Sequence, residues 1–341
     1  MSDAALDLIR EAMSTARAPE RFEAYAPSNI ALSKYWGKRD RARNLPLNSS
    51  FSISLAEWGS HTAVAGSEDG CDHVSLNGKE LPPDTPFAAK ALKFADLFRG
   101  ERHLPLRIDT RNTIPTAAGL ASSASGFAAL TKALCGSFGL ETRLDDSRLS
   151  LIARLGSGSA TRSLWHGFVR WNKGEREDGG DSFAHPLDTK WPEFRIAILP
   201  VDVGPKAHSS RDGMNHTVET SPLFPAWPQQ AETDCARIEK AVLAQDLAAL
   251  GALAEANALA MHATMQAARP ALTYLTAQSW AYLDQLWAAR KEGLEAYATM
   301  DAGANIKLIF LQESTDDVTQ LFPQVQVIEP FKNLETPDDT R

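Results

Sequence analysis

Cysteine is scarce in this chain. Its 341 residues include three, Cys71, Cys135 and Cys235. None forms a C-x-x-C pair or a zinc-ligand spacing with another, so a disulfide framework and a zinc ribbon are both excluded, and a reducing, cytoplasmic setting fits. The eight histidines form no H-E-x-x-H motif, which removes the common zinc-hydrolase signature. Positive charge is outnumbered, with 35 Lys and Arg against 43 Asp and Glu and a net charge of -8. A general nucleic-acid-binding role is therefore disfavoured, and any site for a polyanion must be local. No apolar run is long enough to cross a bilayer. The first twenty residues lack the basic start and apolar centre of a secretory signal. Internal repeats, low-complexity tracts and the phosphate loop G-x-x-x-x-G-K-[ST] are also missing.

What is present is ordinary in bulk and unusual in places. A hydrophobic share of 43% and a charged share of 23% describe a globular protein long enough for two cored domains. The stretch that organises it is residues 112–125, Asn-Thr-Ile-Pro-Thr-Ala-Ala-Gly-Leu-Ala-Ser-Ser-Ala-Ser. It has almost no bulk or charge and runs into a helical pattern from Gly126. Such a loop lets backbone N–H groups approach phosphate oxygens, and the helix N-terminus adds a favourable dipole. The same composition also fits a Ser/Ala-rich helix start without a ligand.

In chain order, Leu6, Ile9 and Met13 give an amphipathic N-terminal helix, either packed or frayed. Phe22, Ala24 and Ala26 alternate as a strand ending at Pro27. Lys34, Lys38 and Arg39 surround Tyr35 and Trp36, a knot that can hold an anion or form a solvated basic turn. Residues 51–55 alternate as a strand with one buried face. Asn77-Gly78 signals a hairpin. Residues 87–98 read as a helix and 104–108 as a strand. Residues 147–155 form a further helix, followed by Gly156-Ser-Gly-Ser-Ala-Thr-Arg-Ser. There Ser157, Ser159 and the forked donor Arg162 suit carboxylate or phosphate, or else form a Gly-rich connector with a surface Arg. Residues 165–171 read as a strand, 174–181 as a loop, 195–201 as a strand and 205–214 as a loop before a helix. Residues 227–262 and 274–291 are helical. Residues 296–310 give strand, tight turn and strand, with Asp301 at the turn, where Asp is an ordinary turn former. The tail after Phe331 is polar and loose.

Taken together, these motifs are specific. Ala26-Pro-Ser-Asn-Ile-Ala-Leu-Ser-Lys-Tyr-Trp-Gly-Lys-Arg-Asp, Leu45-Pro-Leu-Asn-Ser-Ser, Pro115-Thr-Ala-Ala-Gly-Leu-Ala-Ser-Ser-Ala, Gly156-Ser-Gly-Ser-Ala-Thr-Arg-Ser and Met300-Asp-Ala-Gly-Ala-Asn resemble the diphosphomevalonate decarboxylases of the GHMP kinase superfamily. Glu177-Asp-Gly-Gly-Asp-Ser, Ser209-Ser-Arg-Asp-Gly-Met and Met261-His-Ala-Thr resemble them too. The likeness runs from about Tyr25 to Leu311.

The resemblance implies an α+β fold with two GHMP kinase domains. The N-terminal one is of a ribosomal-protein-like type and the C-terminal one ferredoxin-like, with the active site in the cleft between them. The expected division is a helical extension over 1–20, domains over 21–190 and 191–332, and a loose tail over 333–341. It further implies a cytoplasmic homodimer that uses ATP and Mg²⁺ to convert mevalonate 5-diphosphate to isopentenyl diphosphate. By motif, Asp301 meets the substrate 3-hydroxyl with Lys34 beside it, and Arg162 orients the carboxylate. Tyr35, Lys38, Ser157, Ser159 and Ser209 or Ser210 hold the diphosphate. Pro115, Ala118, Gly119, Leu120, Ser122, Ser123 and Ser125 hold ATP phosphates, with Ser122 or Ser123 nearest the metal. Thr161 stands where the family often has Cys, and Ala304 where it often has Pro. Related activities implied as alternatives are a decarboxylase or kinase of mevalonate or a monophosphate, and a non-catalytic nucleotide-binding homologue.

Overall fold

The computed structural model describes residues 3–115, 122–201 and 208–332. It opens with helix α1 (Ala4–Met13), whose first N–H groups are capped by the Asp3 carboxylate. Ala5, Ile9, Ala12 and Met13 are buried, so the amphipathic stripe is packed on the body rather than frayed.

The first half is built on a seven-stranded sheet. Its strands are β1 (Phe22–Ser33), β4 (Ser50–Gly66), β5 (His73–Leu76), β6 (Lys79–Leu81), β7 (Leu106–Asn112), β8 (Phe168–Trp171) and β9 (Ala184–Pro186). Between β1 and β4 lies a small ribbon, β2 (Lys38–Asp40) and β3 (Leu45–Pro46). The order is β6-β5-β7-β4-β8-β9, with β1 against β4. β4 organises the sheet: its first part pairs with β8, its second with β7, and β1 runs along its other side. Helices α2 (Pro86–Arg99), α3 (Ser123–Ser137) and α4 (Asp146–Gly156) bury their apolar faces with α1 in one core.

The second half carries a four-stranded antiparallel sheet, β11-β12-β10-β13. These strands are β10 (Phe194–Leu199), β11 (Ala296–Met300), β12 (Ile306–Leu311) and β13 (Gln326–Ile328). Its helices are α5 (Ser210–Thr220), α6 (Trp227–Leu243), α7 (Leu247–Gln266), α8 (Ala277–Lys291) and α9 (Thr315–Leu321). The halves share a core in which Ile30, Leu32, Phe51 and Ile53 meet Phe194, Ile196, Ile198 and Leu250. Burying side chains of this size stabilises the joint by about 1.5–3 kcal/mol each. Among the described residues no helix is long and apolar enough to cross a membrane.

Several local expectations need correction. β1 does not stop at Pro27. Among the described residues it pairs with β4 alone, so a residue without an N–H is tolerated there, and the register shifts between Pro27 and Asn29. β4 is buried on both faces over its first six residues: the second half packs on Phe51, Ile53 and Leu55, and the face that alternation would leave to water is covered within the first half, where Ser50 accepts from Arg162 and Ser54 from the Gly167 N–H. The helical stretch 227–262 is two helices, broken where Gln245 turns to positive φ and Asp246 caps the next. α5 takes in Ser210 to Met214, because Ser209 caps it and starts it early. The 156–163 connector folds as a 3₁₀ turn over Gly158–Arg162, and β8 begins only at Phe168. The Asn77-Gly78 hairpin is present, with φ of 51° and 78° as a two-residue primed turn requires. The tail 333–341 lies outside the described residues.

Candidate active site

The end of β1 and the β11–β12 turn meet at the seam between the halves. Lys34 is 2% exposed and its ammonium lies 2.8 Å from Asp301 Oδ1. Lys307, on β12, lies 3.1 Å from Asp301 Oδ2. The Asp301 side chain keeps 37% of its surface open, so the carboxylate is reachable while its two cations are not. Burial alone would raise the Asp301 carboxyl, but Lys307 and Lys34 outweigh it and hold the group far below the usual carboxylate range. For Lys34 burial dominates. It pulls the ammonium down to about 8 despite Asp301, and Lys307 and Arg162 add to the fall.

The backbone around this pair is pinned by buried amides. Lys34 N–H donates to Asn257 Oδ1 at 2.8 Å, and Asn48 Nδ2 donates to the Lys34 carbonyl at 2.8 Å. Asn257 in turn donates to Asp234 Oδ2. His262 Nε2 donates to the Asp301 carbonyl at 3.1 Å. Burial, then Lys34, pushes its imidazole down to about 4, so the ring is neutral with its proton on Nε2.

Arg162 stands at the end of the 3₁₀ turn, 2% exposed. It donates to Ser50 Oγ and, at 3.5 Å, to Asn29 Oδ1, and lies over the Trp171 ring. Its Nε has no partner among the described residues. Burial lowers its guanidinium to about 10, which leaves it charged. Such a buried, incompletely paired fork suits an incoming carboxylate or phosphate. The Tyr35 hydroxyl is likewise without a partner. Lys38 donates to Asn44 Oδ1 at 2.7 Å, and burial, then Arg211 and Arg41, lowers it to about 8. Ser157 and Ser159 are half-buried and share a hydroxyl contact of 3.1 Å. Ser209 and Ser210 are exposed at the start of α5, where Ser209 Oγ donates to Asp212.

The two departures in the motifs settle locally. Thr161 Oγ1 donates to the Gly158 carbonyl at 2.7 Å within the 3₁₀ turn. The Ala304 carbonyl accepts from Ser279 Oγ at 2.9 Å.

Of the small-residue loop, Ala118, Gly119 and Leu120 lie outside the described residues. Pro115 is half-buried after β7, Ser122 is half-buried and Ser123 is exposed at the first position of α3. Among the described residues no side chain caps that helix N-terminus, which suits it to an anionic acceptor. Ser125 is different. It is 0% exposed, and its hydroxyl bonds those of Ser60 at 2.8 Å and Ser28 at 3.1 Å. Those bonds fasten α3 to the sheet and leave the hydroxyl no open side for a phosphate. Among the described residues no cluster of His, Cys, Asp or Glu could by itself hold a metal ion.

Reading the residues one by one missed Lys307, Asn29, Asn257, His262 and Arg211. A lysine inside the apolar run Ile306-Lys-Leu-Ile-Phe was the available signal for the first. Asn29, His262 and Arg211 lay within the motifs already noted, but without roles. For Asn257, in an Ala-rich helix, the sequence offered nothing.

Two α+β halves joined along a seam, with one reachable carboxylate among buried cations, define a two-domain protein of the GHMP kinase fold. Family models agree. The diphosphomevalonate decarboxylase-like N-terminal domain matches residues 26–184, and the mevalonate 5-diphosphate decarboxylase C-terminal domain matches 196–337. The chain is 37% identical over 331 residues to the diphosphomevalonate decarboxylase of Aspergillus fumigatus, spanning 90% of this chain and 81% of that one. It superposes on mevalonate diphosphate decarboxylase from Staphylococcus aureus with a TM-score of 0.84 at 33% identity, covering 91% and 95% of the two chains. A solved complex of MDDEF with MVAPP, AMPPCP and magnesium gives 0.83 at 35% identity, covering 91% and 96%. The chain belongs to the diphosphomevalonate decarboxylase family.

Proposed function

We propose that this protein catalyses the ATP-dependent decarboxylation of mevalonate 5-diphosphate to isopentenyl diphosphate, with release of ADP, phosphate and carbon dioxide. One observation carries the reading: Asp301, open to the seam, is bracketed by Lys34 at 2.8 Å and Lys307 at 3.1 Å, and the half-paired Arg162 adds to the same field. A substrate that brings a carboxylate and a diphosphate suits such a local basic site in an acidic chain. The relative solved with MVAPP, AMPPCP and magnesium supports the choice of ligands.

In this reading Asp301 accepts the hydrogen bond of the tertiary 3-hydroxyl and orients its oxygen. The two lysines make Asp301 a weak base, and that is adequate. A loose phosphoryl-transfer transition state builds little charge on the attacking oxygen, so alignment matters more than basicity. Arg162 holds the carboxylate through its fork. Tyr35, Lys38, Ser157, Ser159 and Ser209 or Ser210 receive the diphosphate, with Arg211 adding charge. Pro115, Ser122 and Ser123 line the ATP phosphates at the α3 N-terminus, with Ser122 or Ser123 next to Mg²⁺. ATP with Mg²⁺ supplies the transferable phosphoryl group and neutralises its charge. The division into an extension over 1–20, domains over 21–190 and 191–332 and a tail over 333–341, together with a cytoplasmic homodimer, completes the proposal.

The test is release of carbon dioxide with ATP and, in separate reactions, mevalonate, each monophosphate and the 5-diphosphate. The proposal expects release with the 5-diphosphate above all others. Release only from a monophosphate, or phosphorylation without release, would replace it.

A further inference from the structure

Lys307 sits where a lysine is costly. It lies on β12 between β10 and β11, opposite Ile198 on one side and Thr299 on the other. Its neighbours Ile306, Leu308 and Phe310 enter the core of the second half, and Ile309 enters the core shared by the halves. The residue is 3% exposed. A buried ammonium destabilises a fold unless it is paired and hydrogen-bonded, and here its partners are Asp301 Oδ2 and the Asn305 carbonyl at 3.3 Å.

A structural ion pair needs one cation for one carboxylate. Lys34 already fills that place on Oδ1. With Lys307 the trio carries one net positive charge, and Arg162, close enough to act on both Lys34 and Asp301, raises the surplus to two. Among the described residues the groups facing Asp301 are Lys34 from the end of β1, Lys307 from β12, Arg162 from the 3₁₀ turn and the neutral His262 from α7, and none of these four offsets the surplus. Among the three, Asp301 is the one with open surface: 37% of its side chain is exposed, while Lys34 and Lys307 are 2% and 3% exposed.

We propose that Lys307 is a positioning residue for the reaction: it clamps Asp301 Oδ2 while Lys34 clamps Oδ1, fixing the carboxylate plane, and it supplies the excess charge that receives the anionic phosphoryl group as it passes to the acceptor hydroxyl. This rests on the decarboxylase reading above. Fixing the carboxylate from both oxygens removes the freedom to rotate away from the acceptor, which is what a reaction run by alignment requires.

Lys307→Met tests it, because it keeps the length and apolar stem and removes the charge. The expected result is a folded protein with kcat at least tenfold lower, KM for ATP within a few-fold of native, and an acid limb of the pH–rate profile displaced to higher pH. The displacement follows because Asp301 then has a single ammonium to keep it ionised. A role in packing alone would leave the pH limb in place. Lys307→Gln is the second variant if Lys307→Met fails to fold. In whichever variant folds, the Asp301 carboxyl is titrated by carbon-13 NMR without substrate, where a rise supports the clamp. Native kcat with an unmoved acid limb, or an Asp301 titration equal to native, would overturn it. Absence of carbon dioxide release by the native enzyme would defeat the decarboxylase reading instead, and the substrate-free titration still decides whether Lys307 acts on Asp301.

Discussion

A Cβ atom placed on Gly158 would lie 2.7 Å from the nearest ring carbon of Tyr35 and 2.9 Å from its hydroxyl oxygen. The ring cannot simply retreat, because it also packs on the edge-on indole of Trp171, at 4.8 Å between centroids, and on the cluster around Trp36 and Met214. Gly158 is therefore the space that lets Tyr35 present its unpartnered hydroxyl beside Arg162. Gly158→Ala is expected to displace Tyr35 and to cost about 1–3 kcal/mol of stability. The KM for the diphosphate substrate should rise several-fold, while KM for ATP stays near native. Steady-state kinetics with each substrate varied would check this. An unchanged diphosphate KM would remove Tyr35 from the substrate site.

The two lowered lysines give a pH signature. Lys34 and Lys38 each lose their proton near pH 8 in the folded protein, against an ordinary value of 10.5. If their charge serves the substrate, kcat/KM, which reports the free enzyme, falls as pH rises through about 8. Lys38→Arg keeps a charge at one of the two positions, so a limb that persists in this variant belongs to Lys34. Stability moves the other way. Between about pH 8 and 10.5 the unfolded chain holds protons that the folded one has released, so these groups add stability as pH rises. Denaturant titrations at pH 8 and 10 should show native protein gaining more than Lys38→Met does.

Ser123 is exposed at the first position of α3, whose N-terminus has no side-chain cap among the described residues. Ser123→Ala removes a hydroxyl with no hydrogen-bond partner among those residues, so stability should stay within about 0.5 kcal/mol of native. Turnover should fall on the order of tenfold if about 1.4 kcal/mol of transition-state binding is lost. Native kcat and native KM for ATP together would move the nucleotide elsewhere.

Local structure was legible wherever one residue dictates backbone shape. Asn77-Gly78 specified its hairpin, and the period of Leu6, Ile9 and Met13 specified α1. Ala/Leu-rich sequence hid the break at Gln245, because helix propensity persists through a turn that packing imposes. Pro27 looked like a strand end because propensity cannot tell an edge strand from a central one. At the candidate site, the motifs singled out Lys34, Arg162 and Asp301, three groups near enough to act on one another. What they could not supply was distance: Lys307 joins Asp301 only because β11 and β12 form a hairpin on the seam side of the sheet. Ser125 shows the reverse, a hydroxyl in the right motif whose bonds to Ser28 and Ser60 belong to packing.

Asp301→Asn separates a turn former from a working carboxylate. Asn suits turns as well as Asp does, so a purely local role predicts native turnover and native stability. The structure predicts otherwise on both counts. Removing the negative charge leaves Lys34 and Lys307 buried without a counter-ion. The cost at pH 7 should be about 1–3 kcal/mol, less than the about 3–5 kcal/mol of a fully enclosed pair, because 37% of the Asp301 side chain is exposed. That loss should shrink as pH rises above 8, since Lys34 of the folded variant sheds its proton while the same lysine of the unfolded chain keeps it. Turnover should be close to nil at every pH, because raising the pH restores stability without restoring the charged carboxylate that aligns the 3-hydroxyl. A variant that regains stability at high pH yet stays inactive fits the carboxylate role. Turnover within a few-fold of native would withdraw Asp301 from the chemistry.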